Sequence, residues 1–182
     1  TNVEVALLYN ESFSETVLSF ANCINTVDGG THLTGLRSAL TRVMNDYGRK
    51  QKIIKDNEPN LAGDDTRDGL TAVVSVKLTD PQFEGQTKAK LGNPEIRSQV
   101  EGAVVEELTT YLEEHPKDGR RIIEKAITAQ RAREAVVFAR MAVELAEEDQ
   151  RAAYMANLAE VQVQDDDIEG AVSTLRRALA DD

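Results

Sequence analysis

The run Leu70-Thr71-Ala72-Val73-Val74-Ser75-Val76-Lys77-Leu78 constrains the fold more than any other stretch of this 182-residue chain. It is uncharged until Lys77 and dense in valine, the composition of a β-strand. Such a run is expected for a strand with both faces covered. Two further segments can supply partners. Val3 to Tyr9 sets Val3, Val5 and Leu7 against Glu4 and Ala6, and Thr16 to Asn22 carries Val17, Leu18 and Phe20. With Asn10-Glu11-Ser12 as a turn between them, these two read as an antiparallel hairpin.

Helical periodicity occupies much of the remainder. After the Gly-rich turn Asp28-Gly29-Gly30-Thr31-His32, an apolar stripe of Leu33, Leu36, Leu40, Val43 and Met44 predicts a helix that fades near Lys50. The polar stretch from Asp56 to Asp65 reads as a loop, and Thr66-Arg67-Asp68 as one helical turn. Asn93-Pro94 opens another helix, with Asn93 as the N-cap and Pro94 in the first helical position. Its apolar positions Ile96, Val100, Val104, Leu108 and Leu112 run to a stop at His115-Pro116. Nothing interrupts a third helix from Arg120 to Ala146, which reads as a connector. The expected organisation is residues 1–119 as an α+β domain, 120–146 as the connector helix and 147–182 as an acidic helical hairpin.

Composition narrows the function classes. No apolar run approaches the roughly 20 residues that cross a bilayer, and the first residues carry no signal-like pattern. The single cysteine, Cys23, lies in a strand-like run and reads as a small buried hydrophobe, without metal-ligand spacing around it. A cytoplasmic protein without membrane partners is expected. The net charge of −11 argues against a stand-alone nucleic-acid binder, because DNA affinity rests on phosphate neutralisation by Lys and Arg. That charge is uneven: from Glu144 to Asp182 there are eleven acids and three arginines, leaving only −3 on residues 1–143.

The chemistry-bearing stretch is Phe83-Glu84-Gly85-Gln86-Thr87-Lys88-Ala89-Lys90-Leu91-Gly92-Asn93. Glycine permits sharp turns and close approach to a ligand, and lysine is a compact cation suited to a phosphate oxygen. The residues alone suggest a phosphate-sensing loop. Without the surrounding blocks, solvated loop residues are the simpler reading of Gln86 and Lys88.

Several ordered blocks resemble the B subunits of the type IIA DNA topoisomerases, DNA gyrase and topoisomerase IV. They are Val3-Glu4-Val5-Ala6, Asp28-Gly29-Gly30-Thr31-His32-Leu33 with Gly35, and Gly69 to Leu78. The loop Phe83 to Lys88, then Lys90-Leu91-Gly92-Asn93 and Ala132-Arg133-Glu134-Ala135, complete the set. The resemblance spans about residues 2 to 135 and implies a transducer domain. Its fold would be α+β, like domain 2 of ribosomal protein S5: a mixed sheet with helices on one side and a long exit helix.

The resemblance also implies roles. Gln86 and Lys88 would contact the γ-phosphate of ATP, held with Mg²⁺ by a neighbouring ATP-binding domain, with Gly85 and Thr87 supporting the loop. The transducer would couple ATP binding and hydrolysis to DNA strand passage, in company with the topoisomerase A subunit. Arg37, Arg42 and Arg49 would form a weak DNA-facing surface, although a solvated helix face is the simpler reading. His32 has no neighbouring nucleophile, so Asp28 to His32 is expected to be structural or part of a dimer gate. The ATP-binding, toprim and tyrosine motifs of the family do not occur in these residues. Alone, the chain is expected to bind no cofactor, to hydrolyse no ATP and to cleave no DNA.

After Ala135 the chain departs from the basic helix usual in the family. Ala135-Val136, Ala139 and Ala142 recur 36 residues later as Ala171-Val172, Leu175 and Ala178. With Met155, Leu158 and Ala159, these resemble about one and a half tetratricopeptide repeats, although Gln162 occupies a position that prefers a bulky aromatic. A plain helical hairpin explains the same pattern, with Asp165-Asp166-Asp167 as a loop and N-cap. The acidic tail leaves open a second reading, a non-catalytic interaction module; a chimeric or decayed reading frame is a third.

Overall fold

The computed structural model describes residues 1–145, 150–164, 167 and 170–174. Four strands, β1 (Asn2–Tyr9), β2 (Thr16–Ala21), β3 (Ile24–Asn25) and β4 (Leu70–Lys77), form a mixed sheet in the order β1-β4-β2-β3. The Val-rich run therefore lies inside the sheet, between β1 and β2. β1 pairs with it antiparallel, Val5 opposite Val74, and β2 pairs with it parallel, Leu18 opposite Val73.

The expected β1–β2 hairpin does not form. Neighbouring strands in sequence usually pair, but here β4 inserts between them. It is the strand whose apolar content benefits most from two partners, and Asn10 N–H continues the β1 pairing to Gly69 O at 2.9 Å. Coverage of both β4 faces is also not observed. Leu70, Ala72, Val74 and Val76 are buried, while Thr71, Val73 and Ser75 are half-buried. The alternation of Thr71 and Ser75 already marks a one-sided strand.

On the covered face lie α1 (Thr31–Lys50) and α2 (Pro94–Glu114). Leu36, Leu40, Ile96 and Val100 pack with Leu70, Val74, Val76 and the half-buried Val3, Val5 and Leu7 of β1. Burial of each such side chain contributes about 1.5–3 kcal/mol, so the i, i+3, i+4 stripe decides which face of α1 turns inward. A second cluster joins Val43, Met44 and Tyr47 of α1 to Ile54, Leu61, Leu112 and Ile123. One 3₁₀ turn spans Asp65–Arg67. The mixed α+β architecture with helices on one side is as expected.

Two local expectations are corrected. Cys23 is exposed, not buried. It and Asn22 have φ of 66° and 47° and make the two-residue turn between β2 and β3, a geometry that needs positive φ at both positions. The third helix, α3 (Pro116–Leu145), starts four residues before Arg120. Pro116 fits its first turn because that N–H has no partner inside the helix.

The chain divides into two compact units, 1–127 and 128–182. In the second, α4 (Arg151–Gln164) contributes Met155 and Leu158 to a small core with Val136 and Val143. Gln162 is buried: its Nε2 donates to Asp167 Oδ2 at 2.9 Å and its Oε1 accepts from Thr174 Oγ1 at 2.8 Å. Asp167 Oδ1 accepts from Gly170 N–H at 2.9 Å. Asp165, Asp166, Leu175 and Ala178 lie outside the described residues.

Candidate functional site

The stretch from Phe83 folds as a hairpin of two short strands, β5 (Phe83–Glu84) and β6 (Lys90–Leu91), with Phe83 opposite Leu91 and Glu84 opposite Lys90. Gly85, Gln86, Thr87 and Lys88 form its exposed tip. Gly85 (φ 77°) makes the first reversal and Lys88 (φ 54°) the second. For a lysine this left-handed conformation is uncommon, and it is set by the Lys88 N–H bond to Gly85 O at 3.5 Å.

The charges within the loop are divided. Lys90 pairs with Glu84 at 3.0 Å, whereas Lys88 has no ion pair among the described residues. Its Nζ stands 6.0 Å from the centre of the Phe83 ring. Phe83, Gly85, Gln86 and Lys88 line a shallow recess of about 380 Å³. An uncommitted ammonium and an amide flanking a recess can accept phosphate oxygens, the first by charge and the second by hydrogen bonding.

The base of the loop is held far more firmly than the tip. On one side Asp28 N–H donates to Ala89 O at 2.9 Å, and Leu91 N–H donates to Gly29 O at 3.0 Å. Gly30 (φ 134°) lies so close to β6 that a Cβ there would meet Leu91 O at 2.4 Å and Leu91 N at 2.5 Å. The two Gly-containing blocks that the sequence keeps more than fifty residues apart thus meet in space. On the other side Gly92 N–H donates to Gln82 O at 2.7 Å.

His32 opens α1 directly beneath this junction and is fully buried. Thr26 Oγ1 donates to Ser19 O at 2.9 Å and lies 3.0 Å from His32 Nε2. Nε2 is the bonded ring nitrogen, and Nδ1 has no hydrogen-bond partner. Burial lowers its pKa from 6.5 to about 4, so the ring is neutral at pH 7. This arrangement supports the fold at the loop's base and offers no nucleophile.

The three arginines differ in their surroundings. Arg37 grips Glu15 with Nε and Nη2 at 3.1 and 3.0 Å. Arg49 donates to Lys55 O, to Glu58 O at 2.7 Å and to Asn60 Oδ1 at 2.8 Å, closing the loop after α1. Arg42 is exposed, 3.7 Å from Asp46. Arg37 and Arg49 thus organise local structure, and Arg42 keeps its guanidinium at the surface.

Asn93 departs from its expected role. It occupies the N-cap position of α2, but its side chain makes no capping bond. Its amide is turned towards Gln82 and Asp80, at the entrance to the loop. The Asn-Pro pair signals a helix start, and nothing local indicates a long-range use of the amide.

The geometry agrees with the comparisons. The family model described as DNA gyrase B matches residues 1–142. The DNA gyrase B subunit of Clostridium acetobutylicum is 58% identical over 139 residues, covering 76% of this chain and 22% of that protein. Its counterpart from Mycobacterium tuberculosis is 51% identical over 143 residues, covering 79% and 21%. Among solved structures, the 43K ATPase domain of Thermus thermophilus gyrase B, in complex with an aminocoumarin, is similar with a TM-score of 0.70. It shares 46% identity, with 76% of this chain and 37% of that chain covered. The topoisomerase IV ATP-binding domain of Francisella tularensis, in complex with a small-molecule inhibitor, has a TM-score of 0.62 at 34% identity, covering 68% and 34%. This chain belongs to the DNA gyrase B family. It spans about a fifth of the length of the curated relatives it matches.

Proposed function

We propose that this chain acts as the transducer segment of an ATP-dependent type IIA topoisomerase B subunit, coupling nucleotide state to DNA strand passage. The observation that carries the reading is the contrast within one hairpin between a clamped base and an exposed tip with an uncommitted Lys88. In this role Lys88 supplies charge to the terminal phosphate of ATP and Gln86 supplies a hydrogen bond. Gly85 and Thr87 shape the tip. ATP, with Mg²⁺, is held by the nucleotide-binding part of such an enzyme. Among the described residues no group of His, Cys, Asp and Glu is suited to a metal ion, and the loop's donors suit phosphate oxygens instead.

The mechanism assigned to this chain is one of position. A tip that gains contacts to a terminal phosphate is drawn towards it, and hydrolysis removes those contacts. Because the base is bonded to the start of α1, movement of the tip is delivered to the helical layer rather than dissipated in a free loop. Of the three arginines, the exposure of Arg42 on α1 suits a weak DNA-facing role. The A subunit and DNA are partners of the assembled cytoplasmic enzyme, and the acidic tail suits a protein partner.

The test supplies the chain with the nucleotide-binding part of a gyrase B relative and measures ATP turnover. Turnover is expected to appear, and Lys88→Ala to lower it by about tenfold or more, the loss of one charge-assisted contact made in the transition state. Undiminished turnover in Lys88→Ala would remove the sensor role.

A further inference from the structure

We infer that Asn93 is a positioning residue for the phosphate-sensing tip, fixing the entrance of the loop to the start of α2. The inference rests on the sensor reading of Lys88 and extends it to a residue that does not touch the nucleotide. Its basis is one buried amide with both protons donated and its oxygen accepting. Asn93 is 3% exposed. Its Oδ1 accepts from Gln82 N–H at 2.7 Å. Its Nδ2 donates to Asp80 O at 3.1 Å and to Glu95 Oε1 at 2.9 Å.

These bonds have one allowed orientation. Turning the amide over would set its oxygen against the Asp80 carbonyl and the Glu95 carboxylate, and its NH₂ against an N–H. The side chain therefore reads the polarity of three groups on two segments and locks them in one register. Glu95 stands in the first turn of α2, where the carboxylate also favours the helix start. Its pKa is held low by its own backbone N–H and by the Asn93 amide. Gly92 N–H to Gln82 O at 2.7 Å completes the clamp.

The consequence is a second anchor for the tip. The exit of the loop, Ala89 to Leu91, is bonded to the residues preceding α1 through Asp28 and Gly29. The entrance, Gln82, is bonded to the residue preceding α2. A displacement of Gln86 or Lys88 is thereby shared between the starts of both helices. Asn at this position commonly caps a helix; here the capping bond is forgone and the amide ties the segment before β5 to the helix.

The experiment is a double-mutant cycle in the full chain supplied with the nucleotide-binding part of a gyrase B relative. ATP turnover is measured for the parent, Asn93→Ala, Lys88→Ala and the pair, with KM and kcat separated. Asn93→Ala is expected to lower kcat by about fivefold to tenfold, with KM changed less than about twofold. In the Lys88→Ala background it should lower kcat hardly further, because a misplaced tip has nothing left to lose. Losses that multiply in the pair would show that Asn93 acts elsewhere than through Lys88 and would overturn the inference. A normal kcat in Asn93→Ala would do the same. If Lys88→Ala alone turned over normally, the sensor reading itself would fail, which separates the two claims. Folding of each variant is followed by thermal melting. Should Asn93→Ala not fold, Asn93→Asp keeps the shape and the Gln82 bond while opposing Asp80 O and Glu95. It is expected to fold and to show the same loss; failure to fold would make Asn93 a residue of the fold and reject the positioning role.

Discussion

At the scale of single residues, function depends on which polar groups are satisfied and which are not. Gln86, Thr87 and Lys88 are exposed, while Asn93 is buried, with both amide protons donated and its oxygen accepting. His32 is buried with one nitrogen bare, and this has a measurable outcome. Its folded pKa of about 4 lies below the ordinary value of 6.5, so the unfolded chain binds the proton more readily. Stability contributed by the neutral ring is complete above pH 6.5 and is lost as pH falls towards 4. Between about pH 6 and 5, before most carboxylates titrate, the slope should approach one proton, about 1.4 kcal/mol per pH unit. Urea unfolding at a series of pH values measures it, and a flat profile there would contradict the burial of an unpaired Nδ1. That Gln86 and Lys88 stand in an exposed turn was legible in the sequence because Gly85 and Gly92 frame them. The use of Asn93 was not, since its partners Gln82 and Asp80 reach it only after the hairpin has formed.

Among the elements, the sheet shows what periodicity can and cannot predict. The strands β1, β2 and β4 were each legible from Val, Leu and Phe content, and α1 and α2 from their apolar stripes. Their order was not. Alternation identifies a strand and the face it buries, whereas pairing depends on which edge gains most from which neighbour, a property of all the strands together. The packing of Gly30 on Leu91 was likewise hidden, because a Gly-Gly turn predicts a sharp bend without naming what approaches it. Two glycines in this region should respond differently to alanine. At Gly30 the added carbon meets the Leu91 backbone at 2.4 Å with φ at 134°, and about 3 kcal/mol or more of stability should be lost. At Gly85 nothing lies within 4 Å, so only the left-handed backbone costs, about 1–2 kcal/mol. Denaturant midpoints of the two variants give the comparison, and equal losses would contradict the docking of the turn on β6.

For the whole molecule, membership of the DNA gyrase B family and the span of about a fifth of the relatives' length define what this chain contributes. Three of the blocks that carry the family pattern meet around the loop: Asp28 to His32, Phe83 to Lys88, and Lys90 to Asn93. Their convergence gives the motif spacing a physical reason, a rigid mount for a polar tip. On the proposed reading this tip distinguishes a nucleotide with a γ-phosphate from one without. By linkage, a contact made only to ATP must raise the affinity of the chain for the ATP-bound partner by the same factor that the chain raises ATP affinity. The direct measurement is the affinity of this chain for the nucleotide-binding part of a gyrase B relative, loaded either with a non-hydrolysable ATP analogue or with ADP. Association about tenfold tighter with the analogue is expected, a difference of about 1.4 kcal/mol, and it should disappear in Lys88→Ala. Equal affinities for the two loaded forms, or a preference that survives Lys88→Ala, would show that the tip does not read the terminal phosphate.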